Sequence, residues 1–104
     1  VLQAYDPVAM PEAHRVLAGT PGLHFAASQQ EALEGADALV VALGVDTFAG
    51  DPISRFTLRS EDYLRIGQAL AGAGLPTVFT LEGGYAVAEV GVNVVNVLEG
   101  FVAG

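Results

Sequence analysis

Asp37-Ala38-Leu39-Val40-Val41-Ala42-Leu43 reads as an almost wholly apolar strand. It runs straight into Gly44-Val45-Asp46-Thr47-Phe48-Ala49-Gly50-Asp51-Pro52. A strand apolar on both sides belongs inside a parallel sheet, with each face covered. Asp46 then stands just past the carboxyl end of that strand, where open α/β sheets gather their chemistry. Asp51, ahead of Pro52, reads as a turn residue.

On either side of this strand the chain alternates strand and helix. Val1–Tyr5 is a short β-type run (β1), stopped by Asp6-Pro7, and Ala9–Ala18 is expected to be helical (α1). Pro11 fits that helix only in its first turn, where a missing N–H costs nothing. After the break Gly19-Thr20-Pro21-Gly22 come a weak strand, Leu23–Ala26 (β2), and a helix, Gln29–Glu34 (α2). Ser28 and Glu31 have the spacing of a capping box. Asp37–Leu43 is β3, and Gly44 to Arg59 a long loop. Ser60 is expected to cap α3, whose apolar stripe is Leu64, Ile66, Leu70 and Ala73 and which Gly74 and Pro76 end. Thr77–Leu81 is β4, and Glu82-Gly83-Gly84 turns the chain into α4, Ala86–Phe101, with a face of Val87, Val90, Val94, Val97, Leu98 and Phe101. So many β-branched residues need packing to override helix propensity.

Strand–helix–strand units impose parallel pairing through right-handed crossovers. The expected fold is therefore α/β: a single domain over residues 1–104, ordered β1α1β2α2β3α3β4α4. A four-stranded parallel sheet of order 2-1-3-4 lies between helix layers, a Rossmann-like three-layer arrangement.

With 104 residues there is room for one core. Four basic against twelve acidic side chains give a net charge of −8, which disfavours nucleic acid and anionic membrane as partners. Cysteine is absent, which excludes disulfides, zinc–thiolate sites and thiol nucleophiles. No apolar run approaches the roughly 20 residues of a membrane span, so a cytoplasmic, soluble chain is expected. Self-association through the apolar edge strand 77–81 or the valine-rich helix 86–101 is the one partnership expected.

Residues 38–104 resemble the carboxyl-terminal part of the histone deacetylase superfamily, in its acetylpolyamine amidohydrolase branch. The resemblance rests on Ala38-Leu39-Val40-Val41, the run from Gly44 to Ser54 and Glu82-Gly83-Gly84-Tyr85. It implies that Asp46 matches one of three zinc ligands and that Tyr85 matches a donor to the oxyanion formed when water attacks an amide. Both roles suit the residue types, a hard anionic oxygen for zinc and a phenol aimed at developing charge. Residues 1–42 are similar instead to the carboxyl-terminal domain of nucleotide-sugar 6-dehydrogenases of the UDP-glucose type. Here Ala4-Tyr5-Asp6-Pro7-Val8-Ala9-Met10 and Glu31-Ala32-Leu33-Glu34-Gly35-Ala36-Asp37-Ala38-Leu39-Val40 carry the likeness. The two resemblances overlap inside β3, whereas natural domains join at linkers. The expectation is a chimera of two α/β fragments.

The deacetylase resemblance also calls for an Asp-x-His pair and tandem histidines, which this sequence lacks. Its histidines, His14 and His24, fall in the dehydrogenase-like part and read as surface residues. Asp46 and Tyr85 are accordingly read as vestigial, with no catalytic residue, metal or cofactor. Glu82 next to Asp46 offers at most a weak calcium or magnesium site. Gly83-Gly84 imitates part of a dinucleotide fingerprint, but no Gly-x-Gly-x-x-Gly follows. The dehydrogenase family's catalytic cysteine is missing, which removes hydride transfer. The sequence thus reads as a non-catalytic, engineered chimeric scaffold rather than an enzyme. The alternatives are a fragment of a zinc-dependent amidohydrolase and a weak nucleotide-sugar-binding domain.

Overall fold

A computed structural model describes residues 1–104. Its elements follow the expected alternation: β1 (Leu2–Ala4), α1 (Met10–Leu17), β2 (Leu23–Phe25), α2 (Gln29–Leu33), β3 (Leu39–Leu43), α3 (Asp62–Ala71), β4 (Thr77–Leu81) and α4 (Val90–Ala103). The chain divides into two compact units, Val1–Asp37 and Ala38–Gly104. No helix is long and apolar enough to cross a membrane.

In the first unit β1 and β2 pair in parallel over three residues each, with Leu2 opposite Leu23. Pro11 lies in the first turn of α1, as its chemistry requires. The capping box of α2 forms with a shifted partner. Ser28 Oγ accepts from the Glu31 N–H at 3.1 Å, while the Glu31 carboxylate accepts from Ala27, one residue before the cap. The Gln3 amide donates to the carbonyls of Ala32 and Glu34, fastening β1 to the end of α2.

In the second unit β3 and β4 pair in parallel along their full length, from Leu39 opposite Thr77 to Leu43 opposite Leu81. Burial alternates along both. Val41 and Phe79 turn to the core, whereas Val40 and Val78 are 63% and 58% exposed. Leu43, Val45, Tyr63 and Val97 form the buried centre, joined by Ile66, Leu70, Val90 and Val94 from the two helices. Phe79 meets Phe101 edge to face, with ring centroids 5.2 Å apart. Both helices therefore cover the same face of the pair.

The expected single sheet of order 2-1-3-4 is corrected: there are two two-stranded parallel sheets, β1-β2 and β3-β4. Two physical reasons stand out. β1 and β2 are too short to offer a long ladder. β3, read as apolar on both sides and hence sandwiched, has a helix-covered face and an open one. The three-layer expectation fails in the second unit for the same reason.

The helix stripes also shift. The inward face of α3 is Tyr63, Ile66, Gly67 and Leu70: Ile66 and Leu70 lie in the expected stripe, while Tyr63 and Gly67 take the buried places expected of Leu64 and Ala73. The Ser60 hydroxyl accepts no capping N–H; the Asp62 carboxylate instead accepts from the Arg59 N–H at 2.8 Å. In α4 the buried positions are Asn93, Val97 and Gly100, while Val87 precedes the helix and is exposed. Gly67 and Gly100 let α3 and α4 touch backbone to backbone. A β-carbon on Gly67 would stand 2.0 Å from the Val97 carbonyl oxygen, and one on Gly100 would stand 2.1 Å from that of Leu64.

Candidate active-site segment

The register of β3 and β4 brings their carboxyl ends level, and the ladder runs on into the loops beyond. Glu82 N–H donates to the Leu43 carbonyl at 2.9 Å, and Val45 N–H donates to the Gly83 carbonyl at 2.8 Å. The Asp46 loop and the Glu82–Tyr85 loop thus leave the sheet side by side.

Asp46 sits half-buried between two glycines. A β-carbon on Gly83 would lie 2.7 Å from its carboxylate carbon, and one on Gly44 would lie 2.8 Å from Oδ1. The side chains absent at these positions leave the space the carboxylate fills. Among the side-chain hydrogen bonds of this loop, none ends on Asp46. Its backbone is held from below by Tyr63, whose hydroxyl donates to the Val45 carbonyl at 3.1 Å and lies 2.9 Å from Thr47 Oγ1. Burial pushes the Tyr63 phenol up from its ordinary value, against the Thr47 hydrogen bond, with Asp46, Asp51 and Asp62 adding to the rise. It therefore stays a neutral donor at any physiological pH.

The second carboxylate of the loop, Asp51, is only 6% exposed and accepts from three backbone N–H groups. Oδ1 accepts from the N–H groups of Ile53 at 2.8 Å and Ser54 at 3.1 Å, and Oδ2 accepts from the N–H of Tyr85 at 2.8 Å. Burial raises its pKa, but the N–H groups of Ile53, Tyr85, Ser54 and Ala86 together outweigh that and hold it below the usual carboxylate range. The Tyr85 side chain is half-exposed at 49%. Gly84, just before it, has φ +146°, and a β-carbon there would meet Val45 Cγ2 at 2.7 Å.

Of the residues singled out from the sequence, Asp46, Asp51, Glu82 and Tyr85 come together at this end of the β3-β4 pair. The exposed Glu82 carboxylate lies 3.5 Å from Thr80 Oγ1, and no group of three metal-binding side chains forms anywhere in the chain. His14 and His24 belong to the first unit, where His14 packs on Phe25 with centroids 4.2 Å apart and His24 lies 3.5 Å from Glu31. As a metal centre the donor set does not fit: one cradled carboxylate supplies one ligand, and a zinc site needs at least three from protein. No reaction step through a metal follows from these residues alone. Sequence reasoning overlooked Tyr63 altogether and saw Asp51 only as a local turn. The Asp-Pro pair signalled the turn; nothing in the sequence signalled a partner 34 residues away.

The sequence profile described as the histone deacetylase domain matches residues 35–101, well over half the chain. The chain belongs to the histone deacetylase domain family. Among its relatives, Acetylpolyamine amidohydrolase 2 of Pseudomonas aeruginosa is 60% identical over 76 residues, covering 73% of this chain and 22% of that protein. Acetylpolyamine amidohydrolase of Mycoplana ramosa is 57% identical over 66 residues, or 64% of this chain and 19% of the relative. The crystal structure of acetylpolyamine aminohydrolase from Burkholderia pseudomallei superposes with a TM-score of 0.62 at 36% identity, over 64% of this chain and 20% of that one.

The chain thus spans about a fifth of the length of the histone deacetylase-family relatives it matches. The expectation of a non-catalytic scaffold rather than an enzyme is corrected by these names, which are names of enzymes of which this chain matches a short segment; the alternative, a fragment of an amidohydrolase, fits them better. That expectation judged a ligand set complete or incomplete within a segment of this size. The 76-residue match is also longer than the stretch from Ala38 to Gly104, so similarity to the amidohydrolases reaches back through Asp37 into the first unit.

Proposed function

We propose that this chain is the segment of an acetylpolyamine amidohydrolase-type enzyme that supplies one metal-ligand carboxylate and one oxyanion donor. The observation that carries the reading is the pressing of Gly83 against the Asp46 carboxylate. With the Val45 N–H bonded to the Gly83 carbonyl, it sets the carboxylate and the Tyr85 loop side by side at the strand ends. Asp46 offers a half-buried anionic oxygen engaged by no donor of its own loop. Tyr85 offers a half-exposed phenol on an anchored backbone. When amide hydrolysis places negative charge on the former carbonyl oxygen, that phenol donates to it, which is electrostatic stabilisation of the transition state. The substrate class suggested by the relatives' names is an N-acetylated polyamine, and the chain's excess of acidic side chains suits a cationic substrate.

The test is a graft. The matching segment of Acetylpolyamine amidohydrolase 2 is replaced by the corresponding residues of this chain, and acetate release and bound zinc are measured. The graft is expected to hold zinc and hydrolyse an acetylated polyamine. Asp46→Ala is expected to remove both, and Tyr85→Phe to lower kcat by about 10²–10³ with zinc content unchanged. A graft that folds and holds zinc but releases no acetate overturns the reading.

A second reading concerns origin. The family match starts at residue 35, close to the boundary between the compact units at Asp37 and Ala38. The reading is that the residues ahead of the amidohydrolase-like stretch have a separate, nucleotide-sugar-dehydrogenase-like source; it rests on the resemblance carried by Ala4-Tyr5-Asp6-Pro7-Val8-Ala9-Met10, not on this boundary. Amide shift changes confined to residues 1–28 on adding UDP-glucose would favour it, and their absence retires a binding role.

A further inference from the structure

The Asp51 carboxylate divides its two oxygens between two tasks. Oδ1 closes a tight local turn with Ile53 and Ser54; Oδ2 crosses to the other loop and receives the Tyr85 N–H at 2.8 Å. The turn is what an Asp-Pro sequence does anywhere. The second bond is different, because it joins residues 34 apart and ends on the residue whose side chain is the proposed oxyanion donor. We propose that Asp51 is a positioning residue for Tyr85, clamping the backbone of the Gly83-Gly84-Tyr85 turn so that the phenol is held ready rather than searching. The catalytic half of this proposal rests on the amidohydrolase reading above; the clamp itself does not.

Three features make the clamp more than a loop hydrogen bond. Asp51 is 6% exposed, so water competes little for Oδ2. The turn it holds needs holding, since Gly84 at φ +146° lies in a region only glycine occupies freely. The other end of the same turn is tied by the Val45 N–H, which donates to the Gly83 carbonyl at 2.8 Å, so Asp51 and Val45 hold the turn from both ends. A donor fixed in advance spends no reorganisation when charge develops, which is how such groups accelerate reactions.

Asp51→Asn separates the two tasks. Asparagine keeps a carbonyl oxygen for Ile53 and Ser54 but presents an NH₂ group to the Tyr85 N–H. In the 104-residue chain, amide hydrogen exchange followed by NMR is expected to speed up about tenfold or more at Tyr85 while Ile53 and Ser54 stay within about threefold. Unchanged exchange at Tyr85 overturns the clamp. Should the variant lose its fold, the unmutated chain still decides. A scalar coupling across the hydrogen bond is expected between the Tyr85 amide nitrogen and the Asp51 carboxylate carbon. Seeing that coupling for Ile53 but not for Tyr85 overturns the proposal.

In the grafted amidohydrolase, Asp51→Asn is expected to lower kcat about 10- to 100-fold with KM within about threefold, and to add nothing in a Tyr85→Phe background. A full additional loss in that background means that Asp51 acts other than through Tyr85, and overturns the positioning role. An inactive unmutated graft, with the clamp intact by exchange, overturns the amidohydrolase reading and leaves the clamp standing.

Discussion

At the scale of single residues, the site is built from what glycines omit and what one buried carboxylate collects. Gly83 and Gly84 are neighbours with different duties. The three atoms nearest to a β-carbon on Gly83 all belong to the Asp46 carboxylate, the end of a side chain that can swing away. On Gly84 it would strike Val45 and Val90, in a backbone conformation of φ +146°. Gly83→Ala is therefore expected to change stability by less than about 1 kcal/mol while displacing Asp46 and abolishing zinc binding in the graft. Gly84→Ala is expected to cost about 2–3 kcal/mol in urea unfolding. Equal losses of stability in the two variants would contradict this division. Asp51 adds a pH dependence whose sign is fixed by its lowered pKa. The folded state binds that proton more weakly than the unfolded chain, so the stabilisation is complete above about pH 4, the ordinary aspartate value, and fades as pH falls through the lower, folded one. A carbon-13 titration of the Asp51 carboxyl is expected to lag behind that of an unfolded peptide of the same local sequence. Coincident curves would remove the claim.

At the scale of elements, what the sequence disclosed and what it hid separate along one line. Local signals survived: β4 keeps the expected bounds, Pro11 opens α1, and Ser28 and Glu31 cap α2. That the Asp46 loop follows a strand end was legible from the apolar run of β3, Tyr85 was singled out only by the family resemblance, and the shared end of β3 and β4 does bring their loops together. What stayed hidden depends on pairs distant in sequence. The alternation of exposure along β3 follows from which strand and which helices meet it, and an unbroken run of Leu39, Val40, Val41, Ala42 and Leu43 does not encode that choice. The α3 stripe was read only in part, at Ile66 and Leu70, because Gly67 and Tyr63 do not look like a core face, although a glycine is what the helix crossing demands. A β-carbon on Gly67 or Gly100 would enter the facing backbone, where no side chain can yield. Gly67→Ala and Gly100→Ala are each expected to destabilise the chain by about 3 kcal/mol or more, against the stabilising propensity gain alanine brings to an exposed helix site. Gly91→Ala is the control, with nothing within 4 Å of its β-carbon, and is expected to gain about 0.5–1 kcal/mol. A stabilised Gly67→Ala chain would show that the helices separate without penalty.

At the scale of the whole molecule, an open apolar face competes with a large net charge. Val40 and Val78 stand opposite one another in the β3-β4 register, both more than half exposed, on the face the helices leave bare. On α4, Val92, Val95 and Val102 are likewise 54%, 49% and 85% exposed. Apolar surface of this extent drives association at roughly 25 cal/mol per Å² buried. The net charge of −8 opposes it, since two copies brought together repel across the same distance. The balance is set by salt, because charge repulsion is screened within about 8 Å at physiological ionic strength whereas apolar burial is not. Light scattering is therefore expected to find the 10.7 kDa monomer in dilute, low-salt solution and a rising apparent mass as salt and protein concentration increase. Val40→Lys with Val78→Lys is expected to hold the chain monomeric under the same conditions, while leaving the buried Val41–Phe79 side of the pair in place. If the doubly substituted chain associates as readily as the original, the sheet face is not the surface responsible. A mass that falls as salt rises would reverse the argument, because the driving force would then be electrostatic.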